Sequence, residues 1–291
     1  MEKYPASNKD YSTISPSAKT LLLLKGVTKI PFAREAAALM LEPEPFIPDY
    51  ERKDFGFWAR VIHFENRYLS IDELLQDLPV RNILELSSGF SFRGLATVAQ
   101  YGYYYLDTDL PEIIDQKKQF LTRLQPQEPN PNSKLETLPL NALDEKRFLE
   151  LTDHFPPGNI AIINEGLLMY LGLEEKRKLC GIIREVLEKR GGYWITADIY
   201  VKTGTASSGL KINDELEQFL EQHKIEENKF DSLEAAEAFF RSEGFVIDKE
   251  ATLDYSKSEL LKYFLASIPP ENLGQMQKTG KIHATWRLKL A

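Results

Sequence analysis

The sequence predicts an α/β protein: a doubly wound, mainly parallel seven-stranded sheet with an antiparallel last strand, covered by an N-terminal helical cap. Three observations predict it. From Arg81 onward, short β-prone runs alternate with helical stretches, the order that builds βαβ units. Residues 1–80 carry no strand pattern. The final run, IHATWRLKL (282–290), alternates apolar and polar positions as a strand with an antiparallel partner does, whereas NIAIIN (159–164) is apolar enough to be buried on both faces.

Taken in order, residues 1–80 read as the cap and 81–291 as the sheet domain. Ser15-Pro16-Ser17 signals a helix start, Pro31 opens a second helix, and Pro43, Pro45 and Pro48 make a break. The strand candidates are NILEL (82–86), GYYYLDT (102–108), KLETLPL (134–140), NIAIIN (159–164), GYWITADIY (192–200), FVIDKEATL (245–253) and IHATWRLKL. Helices are expected over 92–100, 110–124, 145–152 and 173–190, then, past a polar Gly- and Ser-containing stretch, over 213–223, 232–242 and 256–265.

Composition excludes some functions. With 291 residues, 43% hydrophobic and 27% charged, the chain can bury a substantial core. A net charge of -8 argues against a phosphate backbone as partner, since nucleic-acid affinity rests on clustered Lys and Arg. The start, MEKYPASNKD, lacks the basic-then-apolar order of a signal peptide, and Leu21 to Leu24 is far too short an apolar run to span a bilayer. A single cysteine, Cys180, allows no internal disulfide, so a soluble cytoplasmic protein is expected, with Cys180 as a small buried hydrophobe.

Candidate chemistry starts at RNILELSSGF (81–90), an apolar strand ending in small residues whose backbone N–H groups can approach a ligand. A dinucleotide site needs Gly-x-Gly-x-x-Gly, and here those positions hold Ser87, Gly89 and Phe92. That weakens a nicotinamide-dependent oxidoreductase. S-adenosylmethionine, which has no pyrophosphate, fits better. Asp109 stands 20 residues past Gly89, where an acid can accept both ribose hydroxyls; Asp144 follows the third strand, within reach of an adenine amino group; Glu165 ends the fourth, where it can pair with a cofactor ammonium. Asp109 and Asp144 could instead be helix caps.

FWARV (57–61), ILELSSGFSFRG (83–94), YYLDTDLPEII (104–114) and NEGLLMYL (164–171), in that order, resemble the motif series of the leucine carboxyl methyltransferase family, which includes bacterial polyketide O-methyltransferases. The resemblance covers roughly residues 55–200 and implies a class I methyltransferase fold binding S-adenosylmethionine. It also implies roles: Arg60 on the carboxylate of the cofactor's methionine moiety, Ser87 and Gly89 in the cofactor loop, Asp109 on ribose, Leu143 and Asp144 at adenine, Glu165 at the amine. Lys19 would reach the active site from the N-terminal helices, and Tyr170 would lie near the substrate carboxylate. Without the resemblance, Arg60 and Lys19 read as surface cations and Tyr170 as a core aromatic.

The chemistry suits a small-molecule carboxylate, or secondarily a peptide terminus, as methyl acceptor. A carboxylate is already ionised near neutral pH, so it needs no strong base. The four histidines, His63, His154, His223 and His283, form no catalytic motif, and no metal is expected. A cofactor-binding protein without turnover, serving as an interaction module, is the other alternative.

Overall fold

The computed structural model describes residues 15–52, 54–100, 102–125, 130–202, 225–252, 258–270 and 281–291. The chain opens with α1 (Ser15–Lys25), α2 (Ala33–Leu41) and α3 (Phe55–Gln76). Strands and helices then alternate: β1 (Asn82–Leu86), α4 (Arg93–Gln100), β2 (Tyr104–Asp109), α5 (Pro111–Leu121), β3 (Lys134–Pro139), α6 (Glu145–Thr152), β4 (Ile160–Asn164), α7 (Leu173–Arg190) and β5 (Gly192–Tyr200). The last part holds α8 (Ile225–Asn228), α9 (Leu233–Ser242), β6 (Phe245–Glu250), α10 (Leu261–Ser267) and β7 (His283–Leu290). The helix expected over 213–223 lies outside the described residues.

All seven strands join one sheet in the order β3-β2-β1-β4-β5-β7-β6. The five strands from β3 to β5 run parallel, and β7 is antiparallel to both β5 and β6. This is a doubly wound, Rossmann-like sheet with an antiparallel strand pair at one edge. Alternation along the strands divides the core: Leu84, Leu106, Ile162 and Trp194 pack with α6, α7 and α9, while Ile83, Tyr105, Ala161 and Ile195 pack with α3 and α4. α5 covers the outer part of that second face through Ile113 and Phe120. The C-terminal half of α3 lies on the sheet through Ile71 and Leu74, and its N-terminal half packs on α1 and α10 through Trp58, Val61 and Leu260. α3 is therefore both cap and sheet layer.

Local signals start the helices where the ladder needs them. Asp54 caps α3 by accepting from Phe57 N at 3.1 Å. Pro111 opens α5, where its missing N–H costs nothing. Glu175 reaches back to Gly172 N at 2.8 Å at the start of α7. Among the described residues no helix is long and apolar enough to cross a membrane.

Candidate functional site

A cavity of about 450 Å³ opens at the carboxyl ends of the parallel strands. It sits at the β1/β4 junction, where strand order reverses and open α/β sheets bind ligands. The β1–β3 end is lined by Ser87, Ser88, Gly89, Phe90, Asp109, Leu110, Ile113, Leu140 and Leu143; the β4–β5 end by Glu165, Met169, Tyr170 and Tyr200. α1 and α3 close over it with Ser17, Leu21, Lys25, Arg60, His63 and Arg67.

The loop after β1 turns tightly although its first position is not glycine. Ser87 takes φ +50° and Gly89 φ +51°, and the left-handed conformation costs Ser87 roughly 1 kcal/mol. Backbone and side-chain bonds hold the turn: Ser88 N donates to Thr108 O at 3.0 Å, and Lys117 Nζ donates to Ser88 Oγ at 2.9 Å while pairing with Asp107 at 2.7 Å. Phe92 does not crowd the helix against the strand. It turns into a cluster with Leu22, Phe90 and Ile113, and the glycine of close approach is Gly94, where a Cβ would meet the Tyr105 ring at 2.8 Å.

Asp109 accepts from Gly89 N at 2.6 Å and from Leu110 N at 2.7 Å, joining the ends of β1 and β2. Burial raises its pKa, partly offset by these two bonds. Two lone-pair positions remain for a ligand, since an ionised carboxylate offers about four. Leu143 lines the cavity, but Asp144 does not: it is exposed and accepts from Arg147 N at 3.1 Å as the N-cap of α6. The adenine contact expected of Asp144 is thus replaced by its capping role.

The lysine expected at the site is also corrected. Lys19 is exposed and outside the cavity lining, because it lies about 200° around α1 from Ser17, at 100° per residue. Ser17, Leu21 and Lys25 share the inward face. Arg60 and Tyr170 do line the cavity, and Tyr170 Oη lies 3.5 Å from Ser17 Oγ.

Glu165 lines the cavity as well, yet its charge is met from within the protein. Lys25 Nζ lies 2.6 Å from Oε1, Arg67 Nη2 3.4 Å from Oε1 and Arg93 Nη2 3.5 Å from Oε2. Burial alone would raise the pKa of Glu165, but these three cations outweigh it and hold the carboxyl at about 2. A folded pKa below the ordinary 4.5 means that the Glu165 contribution is complete above pH 4.5 and lost as pH falls toward 2. Glu165→Gln is therefore expected to lower stability at neutral pH and to flatten its fall below pH 4.5. Urea unfolding across that range checks this, and parallel curves for variant and wild type would contradict the ion cluster.

Sequence reasoning passed over several residues here. Arg67 follows Arg60 by seven positions, so the stripe Arg60, His63, Phe64, Arg67 on one helix face was a readable signal. Asp198, an acid inside the apolar β5, was another, since a buried carboxylate must be partnered. It accepts from Asn164 Nδ2 at 2.7 Å, Gly166 N at 2.6 Å, Leu167 N at 2.7 Å and Leu168 N at 3.1 Å, fixing the turn that carries Glu165 and Tyr170. Lys25 and Arg93 gave no such signal.

The sequence matches no family model and no curated protein. Solved structures do resemble the fold. A DUF574 family protein from Streptomyces avermitilis aligns with 94% of this chain and 96% of its own, at 15% identity and TM-score 0.54. Magnesium protoporphyrin IX methyltransferase (ChlM) from Synechocystis PCC 6803, with bound SAH, aligns over 94% of this chain and 100% of its own, at 9% identity and TM-score 0.48. PigF with SAH aligns over 83% of this chain at 13% identity and TM-score 0.44, and this chain spans 60% of PigF's length. At 15% identity, the first shows the fold alone.

Proposed function

We propose that the chain is an S-adenosylmethionine-dependent O-methyltransferase whose acceptor is the carboxylate of a small molecule. The observation that carries this is the convergence of the Ser87–Gly89 loop, Asp109, Arg60 and Glu165 on one cavity at the strand-order reversal. The residues fit the cofactor. Leu110, Ile113, Leu140 and Leu143 supply apolar walls for an adenine ring beside a carboxylate suited to a ribose diol. Arg60, from α3, would take the carboxylate of the amino-acid tail, and an ammonium there would compete with Lys25 for Glu165.

When bound, the cofactor supplies a methyl group on a sulfonium. The chain's own work is to align and desolvate, and such positioning can supply roughly 7–11 kcal/mol of a barrier. A carboxylate acceptor arrives ionised, so no residue has to remove a proton. With Arg60 taken by the cofactor's tail, Arg67 and Lys229 are the cations that line the other end of the cavity, beside their partners Glu165 and Glu226.

Calorimetry with S-adenosylhomocysteine and with NADH tests the cofactor, and release of S-adenosylhomocysteine across a carboxylic-acid series tests the reaction. Binding of the first ligand alone, with turnover of at least one acid to its methyl ester, is expected. Binding of NADH in its place would overturn the cofactor, and turnover of phenols but of no acid would overturn the acceptor class.

A further inference from the structure

The β4–β5 end of the cavity contains a polar corner that cofactor binding leaves unused. α3 brings His63 and Arg67 to it, β5 ends there in Tyr200, and Lys229 enters just past α8. Arg67 Nη1 donates to Tyr200 Oη at 3.0 Å, and His63 Nε2 lies 2.7 Å from the same oxygen. A phenol oxygen has two lone pairs and one proton, and a guanidinium can only donate. Arg67 thus fills one lone pair, and the tautomer of His63 decides where the phenolic proton goes.

If His63 carries its proton on Nε2, both lone pairs of Tyr200 are filled and its O–H is directed elsewhere. We propose that this corner is the anion subsite for the methyl acceptor: Tyr200, with His63 Nε2–H and Arg67 Nη1–H donating to its oxygen, gives its own hydrogen bond to the carboxylate of an amphipathic acid. The apolar part of that acid lies along the same cavity, where Leu21, Phe64 and Met169 contribute to the wall. Tyr200 touches the acceptor, whereas His63 acts through Tyr200 and is a positioning residue.

The surroundings favour this role for His63 over that of a base. Burial, then His283, Arg67 and Lys229, push its pKa well below the ordinary value, so taking up an acceptor's proton there is unfavourable. The ring of His283, 5.3 Å away, has its Nε2 2.7 Å from Ala197 O, so it is already engaged with backbone.

The subsite rests on the methyl-transfer reading for its purpose, but its binding step is testable alone. S-adenosylhomocysteine affinity is measured first; then straight-chain acids from butanoate to dodecanoate, and their matching alcohols, are titrated by calorimetry with and without it. At least one acid is expected to bind about tenfold more tightly than its alcohol, a difference of ~1.4 kcal/mol. Tyr200→Phe should erase that preference while the alcohol still binds, because the variant removes the bond to the charged group together with the oxygen that Arg67 Nη1–H and His63 Nε2–H share. His63→Gln, whose amide N–H can replace Nε2–H, should keep the preference, and His63→Leu should lose it. Wild type that binds no acid, or binds acid and alcohol alike, overturns the subsite, as does a Tyr200→Phe variant that keeps the preference. Failure to bind S-adenosylhomocysteine, by contrast, would overturn the cofactor while the acid–alcohol comparison still decides the subsite.

Discussion

Asp109→Ala is expected to weaken S-adenosylhomocysteine binding by at least a hundredfold. Hydrogen bonds to a charged group contribute about 1.5–3 kcal/mol each, so a carboxylate holding two ribose hydroxyls stands for ~3–6 kcal/mol. Even the lower figure is more than a factor of 100 at about 1.4 kcal/mol per tenfold. Alanine also frees Gly89 N and Leu110 N, which could loosen the loop by itself. Asp109→Asn grades the effect, because an amide keeps one acceptor but sets its NH2 against one of the two loop N–H groups, which use different carboxylate oxygens. Intermediate affinity with a lowered thermal midpoint is expected of it. Calorimetry beside thermal unfolding reads both, and wild-type affinity in either variant would remove Asp109 from the cofactor site.

Arg93→Met is expected to cost about 3–5 kcal/mol of unfolding free energy, the range for deleting one partner from a buried ionic group. Arg93 is almost wholly buried, pairs with Asp72, lies 3.7 Å from Glu85 and 3.5 Å from Glu165, and donates to Tyr68 O at 3.2 Å. Its guanidinium also stacks over the Tyr68 ring at 3.7 Å. Methionine keeps much of the stem's packing but leaves these acids short of a cation. Glu85, which burial already pushes up to about 7 despite Arg93, would be driven further toward its neutral form. Urea unfolding at neutral pH reads the cost. Adding Glu85→Leu should recover part of it, since removing both members of a buried pair is milder than stranding one. A loss below ~1 kcal/mol would mean that the cluster is solvated or rearranges freely.

The fold was legible because its signals are local. Each parallel strand announces itself as a short β-prone run, and β7 shows its antiparallel setting in alternation that a buried parallel strand such as Ile160–Asn164 lacks. The meeting of the Ser87–Gly89 loop with Asp109 was legible for the same reason: the 20-residue step from Gly89 is one strand–helix–strand unit. What the sequence hid is long-range. Lys25 and Glu165 meet across 140 positions, and no spacing rule distinguishes Lys25 from Lys19 until α1 is placed on the sheet. Asp144 was read as a ligand contact because a carboxylate after a strand looks alike whether it faces the cavity or the next helix's N–H groups. The corner of His63 and Tyr200 needs the sheet complete to β5, with α3 laid across it, before the two side chains meet.

Arg67 gives the cavity a property that neither end has alone. One nitrogen of its guanidinium serves Tyr200 and the other faces Glu165, so a single rigid planar fork spans the two halves. Any ligand that pulls on Glu165 changes the free energy of Tyr200's environment, and by thermodynamic reciprocity an occupant at Tyr200 alters affinity at Glu165 by the same factor. Donor and acceptor molecules would thus report on each other's arrival through one side chain, without a hinge or a moving domain.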